Sequence, residues 1–284
     1  MTGGIALAFA FLVGALIGSF LNVCVSRWPL EESVVHPRSR CPSCRLQIAW
    51  YDNVPILSWL LLRGRCRGCG VRISPVYPLV ELVVALGWLA AAMEFGPTFT
   101  ALRVAIFGTV LLGIMLTDAS HYTIPDGFTA FGVLWALIAT VIGTFIGETL
   151  PFAGLYDAVV GACVGAGAIA IAGWVGEMVF KKEAMGFGDV TLMAMVGAHL
   201  GTGRTLLTVF FGALLGAVIF LAVVYPVAWL TRGRANDQME LPVTPVAFEL
   251  PLVPFGVFLA PAAMISLIWG DALIDWYIHR MLGL

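Results

Sequence analysis

The sequence predicts an all-α polytopic membrane fold of about eight transmembrane helices, interrupted early by one small cytoplasmic loop domain. Composition is the first observation behind this: 60 % of the 284 residues are apolar and only 11 % are charged, whereas charge makes up about a quarter of a soluble domain. Mean hydropathy, +0.97, is the second. The third is that the apolar residues gather into runs near the length of about 20 residues that crosses hydrocarbon as a helix. A net charge of -2 and a pI near 6.1 leave no basic footprint for nucleic acid.

Taken in order, apolar runs bounded by polar residues, Pro or Gly place spans at 3–25, 76–94, 99–118, 128–147, 153–180, 188–201, 205–230 and 252–270. The sixth is short. No Lys or Arg precedes the first run, so residues 1–25 are expected to be a retained span and not a cleaved signal. Residues 26–75 are polar enough to form a separate cytoplasmic domain, and 76–284 form the main membrane domain. Gly14 with Gly18, Gly143 with Gly147, Gly161 with Gly165 and Gly212 with Gly216 give the small-xxx-small steps of closely packed membrane helices. No internal repeat is read from the chain. The 231–251 segment, rich in Pro and charge, reads as an irregular loop.

Orientation follows from the basic residues, which are retained on the cytoplasmic side. With eight spans, one set of loops holds Arg27, Arg38, Arg40, Arg45, Arg63, Arg65, Arg67, Arg72, Lys181, Lys182, Arg232 and Arg234. The other holds Arg103, Arg204 and Arg280. This distribution predicts that both termini face outward and that the 26–75 loop is cytoplasmic.

Within that loop, Cys41-Pro-Ser-Cys44 and Cys66-Arg-Gly-Cys69 form two C-x2-C pairs. Two thiolates two residues apart can turn toward one ion, and two such pairs complete a tetrahedron of soft ligands that suits zinc. A pair of disulfides is the competing arrangement, disfavoured by a reducing compartment. A closed four-thiolate site leaves no position for water, so its expected role is to fold the loop. Cys24 and Cys163 lie in apolar runs and read as packing residues.

Two acids stand out because a charge within a span costs about 2.5–3.5 kcal/mol at its centre. Asp118 closes the third span, and Asp189 closes Gly186-Phe187-Gly188-Asp189 at the start of the sixth; both are predicted at the cytoplasmic edge. Two carboxyls brought together share a proton, and that state can hydrolyse an amide. The competing reading is that they are interfacial residues or helix caps. Glu81, Asp157 and Glu177 read as structural, Asp126 as a cap or a neighbour of the pair, and His36 and His121 as loop residues. A transporter using intramembrane acids and a noncatalytic zinc-loop scaffold are the alternatives to an enzyme; a transporter would place its acids nearer the midplane.

With these residues in view, the chain resembles the bacterial type IV prepilin peptidases, bifunctional leader peptidase/N-methyltransferases among the GxGD aspartyl proteases. The resemblance is carried by Gly18-Ser19-Phe20-Leu21-Asn22-Val23, Pro37 through Cys41, Asp52-Asn53-Val54-Pro55, Ser58-Trp59, Arg63-Gly64-Arg65-Cys66, Tyr77-Pro78-Leu79-Val80-Glu81, Asp118, Ile124-Pro125-Asp126 and Gly186 through Val190. It implies that Asp118 and Asp189 are the catalytic pair within an aspartyl peptidase domain at 76–284. It further implies a multi-pass protein of the bacterial inner membrane with its catalytic face cytoplasmic. Its clients would be type IV prepilins or pseudopilins, cut after a glycine, with the apolar segment that follows lying between membrane helices. S-adenosylmethionine would be the methyl donor for the new N-terminus. Thr117 and Thr191 depart from the family pattern, which commonly has an apolar residue and a lysine there.

Overall fold

The computed structural model describes residues 2–182, 185–227 and 254–282. The predicted 231–251 loop and the first residues of the last predicted span lie outside them. The described residues are helical apart from loops and two isolated β-bridges.

Helix α1 spans Thr2–Arg27 and runs into a 3-10 turn at Trp28–Leu30. A short α2, Leu57–Leu61, lies in the polar loop. Helix α3 (Val76–Phe95) starts after Pro75 and stops at Gly96, whose φ of 69° ends the helical path. Thr98 caps α4 (Phe99–His121) by accepting from the Ala101 amide, and left-handed Tyr122 ends it. Helix α5 (Asp126–Ile146) begins after Pro125 and closes on left-handed Gly147; α6 spans Leu155–Phe180, α7 Phe187–Ile219 and α8 Gly256–Tyr277. Helix α4 therefore outruns the predicted 99–118 span, placing Asp118 inside its last turn instead of at its end.

Seven of the described helical stretches are long and apolar enough to cross a membrane, with Phe187–Val227 taken as one. Forty-one residues of straight helix would measure about 60 Å, twice the hydrocarbon thickness. The chain instead turns back at Gly201, whose φ of 73° and ψ of 179° are not helical. The neighbours of α7 show the reversal. Asp189, before the turn, is electrostatically coupled to Asp118; Gly201 and Arg204 lie at the opposite end, against Asp157 and Asp271; and Gly216 has returned to Phe258, two residues after Gly256, which adjoins Asp118. The two arms correspond to the predicted sixth and seventh spans, so the seven stretches hold eight helical arms among the described residues. Glycines make the contact intimate. Any Cβ on Gly161, Gly165 or Gly197 would run into the backbone carbonyl of the facing helix, so α6 and the first arm of α7 pack backbone to backbone.

The end away from Asp118 is sealed by Arg103 of α4. Its buried guanidinium donates to the carbonyls of Glu148 and Thr149 and to Thr140 Oγ1, and lies 4.1 Å from the centre of the Phe152 ring. Glu148 in turn accepts from the Thr100 amide at 3.0 Å. Arg103 thus fastens the 147–154 connection onto the bundle.

Candidate active site and metal centre

The polar loop contains a structural repeat that the sequence reading did not identify. In the first half, the Cys41 amide donates to Leu46 O, the Arg45 amide to Cys41 O and the Ile48 amide to Ser39 O. Twenty-five residues later the same bonds run from Cys66 to Val71, Gly70 to Cys66 and Ile73 to Gly64. Arg45 and Gly70 take the same left-handed turn, with φ of 57° and 71°. Each half is one knuckle that points two thiols inward, which is the physical content of the C-x2-C spacing.

All four cysteines are free, and their Sγ atoms lie within 4.8 Å of one another. Cys41 and Cys69 approach to 3.8 Å and Cys44 and Cys66 to 4.0 Å, across the two knuckles. A tetrahedron with Zn–S bonds of about 2.3 Å has sulfur edges of about 3.8 Å, so the donor set fits zinc in number, chemistry and size. The amides of Cys44 and Ser43 draw the Cys41 thiol down to about 6, whereas Cys44, against the pull of the Leu46 amide, is pushed up to about 11 by loss of water and the neighbouring thiols. Asp52 grips Arg67, within the second knuckle, through two bonds of 2.6 and 2.7 Å, and this guanidinium holds its carboxyl below the usual range.

The loop is docked on the membrane helices by Glu81 of α3. Its carboxylate, almost fully buried, accepts from the Ile56 amide at 2.7 Å. Asn22 of α1 donates to Tyr77 O at 3.0 Å beside it, and Gly18 lets α1 approach the Glu81 backbone closely. Trp28, just beyond α1, packs edge-on to Phe128 and covers Gly127 at the start of α5. The cysteine loop therefore shares one end of the bundle with Asp118, Asp126 and Asp189. Lys181 and Lys182, at the end of α6, lie there too.

At that end Asp118 and Asp189 approach one site from different helices. Gly186 precedes α7, and the Asp189 amide closes onto its carbonyl at 3.1 Å. Gly188 brings the α7 backbone against Ile124, since a Cβ there would lie 2.9 Å from Ile124 Cβ. Ile124 also packs against Gly256, and Gly256 against the Asp118 carboxylate. Both residues are buried, at 6 % and 9 % exposure, and the charge of Asp118 acts on Asp189. Asp118 Oδ2 accepts from the Val257 amide at 3.1 Å, which fixes one face of that carboxyl.

Gly256 and Val257 are the site residues that sequence reasoning missed. Their only local signal is Pro254-Phe255-Gly256 at the start of a hydrophobic run, which marks a helix start and says nothing of Asp118. Thr117 and Thr191, the two departures from the family pattern, spend their hydroxyls on carbonyls of their own helices. Asp126 is the first residue of α5, whose cap position is held by Pro125 without a side-chain bond, so Asp126 is not the helix cap that the sequence offered; Asp157 and Glu177 belong to α6.

Comparison with known proteins agrees with this geometry. The model of the bacterial peptidase A24 N-terminal domain matches residues 12–95, which hold both knuckles and Glu81. That of the type IV leader peptidase family matches residues 105–221, which hold both aspartates. The chain is 41 % identical over 239 residues to a prepilin leader peptidase/N-methyltransferase of Myxococcus xanthus, covering 84 % of this chain and 68 % of that protein. It is 34 % identical over 300 residues to the Aeromonas hydrophila protein of the same name, covering 97 % and 94 %. It is also 34 % identical over 292 residues to that of Pseudomonas aeruginosa, covering 94 % and 92 %. No solved structure matches. With relatives aligned along almost its whole length, the chain belongs to the type IV leader peptidase family.

Proposed function

We propose that the protein is a membrane-embedded aspartyl endopeptidase that removes the leader of type IV prepilins or pseudopilins at the cytoplasmic face of the inner membrane and N-methylates the new terminus. What supports the peptidase reading is that Asp118 and Asp189, 71 positions apart in sequence, lie at the same end of the bundle, near enough for the charge of Asp118 to act on Asp189. The orientation rests on the basic residues of the cysteine loop and on Lys181 and Lys182, which lie at that same end.

In this mechanism the two carboxyls share one proton. The ionised member takes a proton from water as the water oxygen attacks the scissile carbonyl carbon, while the protonated member hydrogen-bonds the carbonyl oxygen. When the tetrahedral intermediate collapses, the C–N bond breaks and a protonated aspartic carboxyl gives its proton to the departing nitrogen, leaving a free amine and a carboxylate and returning the pair to one shared proton. Gly186, with nothing closer than 4.0 Å to a Cβ built on it, leaves room for an extended strand beside Asp189, while Gly188 serves the packing of Ile124. Acids at one face, not at mid-membrane, favour this over transport.

Cys41, Cys44, Cys66 and Cys69 would hold one zinc ion, whose role is to fold the loop. S-adenosylmethionine, when bound, supplies an electrophilic methyl group to the neutral amine. For its site we favour the cleft of about 310 Å³ between α1 and the cysteine loop, where Arg27 and Arg38 suit a carboxylate and Ser39 and Asn53 suit hydroxyls.

The test is cleavage of a pilin precursor in detergent by the intact protein, Asp118→Asn and Asp189→Asn, with folding checked for each. Loss of cleavage in both folded variants is expected. Cleavage retained by either removes that acid from the mechanism, and no cleavage of several precursors by the intact protein removes the peptidase reading.

A further inference from the structure

Among the described residues, a groove of about 270 Å³ runs along α4, walled by α3 and α8. Its upper end is formed by Met115, three residues before Asp118 on α4, and by Ala260, three residues after Val257, whose amide holds Asp118. From Met115 it descends to Val104, about 16 Å at 1.5 Å per residue. The two helices that build the Asp118 site thus continue directly into the groove.

Its lining is apolar and its few polar atoms are already used. Trp88 Nε1 donates to Thr109 Oγ1 at 3.0 Å, and that hydroxyl donates to Ala105 O at 2.7 Å. Two glycines open onto it without serving any internal packing. A Cβ on Gly87 would meet nothing within 4 Å, and one on Gly108 would meet only the end of Met264 at 3.7 Å. Gly14, Gly18, Gly113, Gly197 and Gly212 differ, because a Cβ on any of them would strike a neighbouring helix. Small residues along an apolar groove between membrane helices let another helix approach closely.

We propose that this groove receives the apolar segment that follows the scissile bond of the substrate, seated as a helix with one face of side chains between α3 and α8. The inference rests on the peptidase reading, which defines the occupant: a chain whose cleaved peptide lies at Asp118 and whose next residues enter the membrane. A backbone inside hydrocarbon must satisfy its own hydrogen bonds, so that segment is helical. The groove starts one turn below the carboxyl, where such a helix has to begin. It therefore sets the register of the scissile bond against the two aspartates.

The experiment uses the full chain carrying Asp189→Asn, to prevent turnover, with Gly108→Cys added. A precursor bears a single cysteine about ten residues past its cleavage site. Disulfide capture is compared with that of Ile138→Cys, on the exposed face of α5 at similar depth, and with a variant lacking an added cysteine. Capture at Gly108→Cys at least fivefold above both controls is expected; equal or absent capture overturns the proposal and leaves the groove to lipid chains. In the otherwise intact enzyme, Gly108→Phe is expected to raise KM for the precursor at least tenfold while the melting temperature holds, and an unchanged KM overturns the proposal. Cleavage of the same precursor by the unsubstituted protein is scored separately. If cleavage succeeds but capture fails, only the groove falls; if the unsubstituted protein does not cleave, the peptidase reading falls and this inference with it.

Discussion

The Val257 amide reaches the Asp118 carboxylate at 3.1 Å across 139 positions of sequence, joining the last described helix to the acid of α4. The approach depends on Gly256, because a Cβ there would sit 2.8 Å from Asp118 Oδ2 and 3.0 Å from Ile124 Cδ1. Gly256→Ala is therefore expected to displace the carboxyl and lower kcat for leader cleavage at least tenfold, equivalent to about 1.4 kcal/mol of transition-state stabilisation. Steady-state kinetics with a precursor, together with a thermal melt, checks this; an unaltered kcat would show that the contact does not position the acid.

Helices α6 and α7 meet through glycines, and Gly197→Ala would press a methyl into the carbonyl of Gly161. Backbone cannot rotate away as a side chain can, so the expected loss is about 1–3 kcal/mol, toward the upper end. Gly87→Ala is the matched control. It adds a methyl in open space within a helix and is expected to be neutral or stabilising by up to about 1 kcal/mol. Unfolding in detergent with both variants measures the difference.

Glu81 accepts from Ile56, whose φ of 61° and ψ of -53° are unfavourable for a β-branched residue. Removing the acceptor in Glu81→Ala leaves a strained turn without its anchor. A hydrogen bond to a charged group is worth about 1.5–3 kcal/mol, so exchange of the Ile56 amide is expected to speed up by about 10- to 150-fold. Hydrogen exchange resolved to residues 54–60 tests this, with the amides of α4 as the unaffected reference.

Metal analysis of the purified protein is expected to give one zinc per chain, and Cys69→Ser to abolish it. The bundle should keep its helicity while the loop loses order, because the knuckles have too little core to fold alone. Because the cleft favoured for S-adenosylmethionine is walled by this loop, the variant is expected still to cleave leaders but no longer to methylate the product, which mass spectrometry of the new N-terminus reads directly. Normal methylation by the zinc-free variant would show that the loop is not needed for that step.

Much of this molecule is legible in its sequence because the deciding physics is local. A run of apolar residues either is or is not long enough to cross hydrocarbon, and the cost of charge in lipid singles out Asp118 and Asp189 before any contact is known. Two cysteines separated by two residues turn the same way on a knuckle whatever surrounds them. Even the two passes within Phe187–Val227 follow from punctuation around Gly201, where only glycine readily takes a φ of 73°. The tertiary structure decided what joins distant segments. It set Ile124 against both Gly188, the neighbour of Asp189, and Gly256, which adjoins Asp118, placed the Val257 amide against Asp118, docked the loop on Glu81 and closed the far end with Arg103. Those contacts depend on how the helical arms pack against one another, and no spacing within a single helix encodes a hydrogen bond to another.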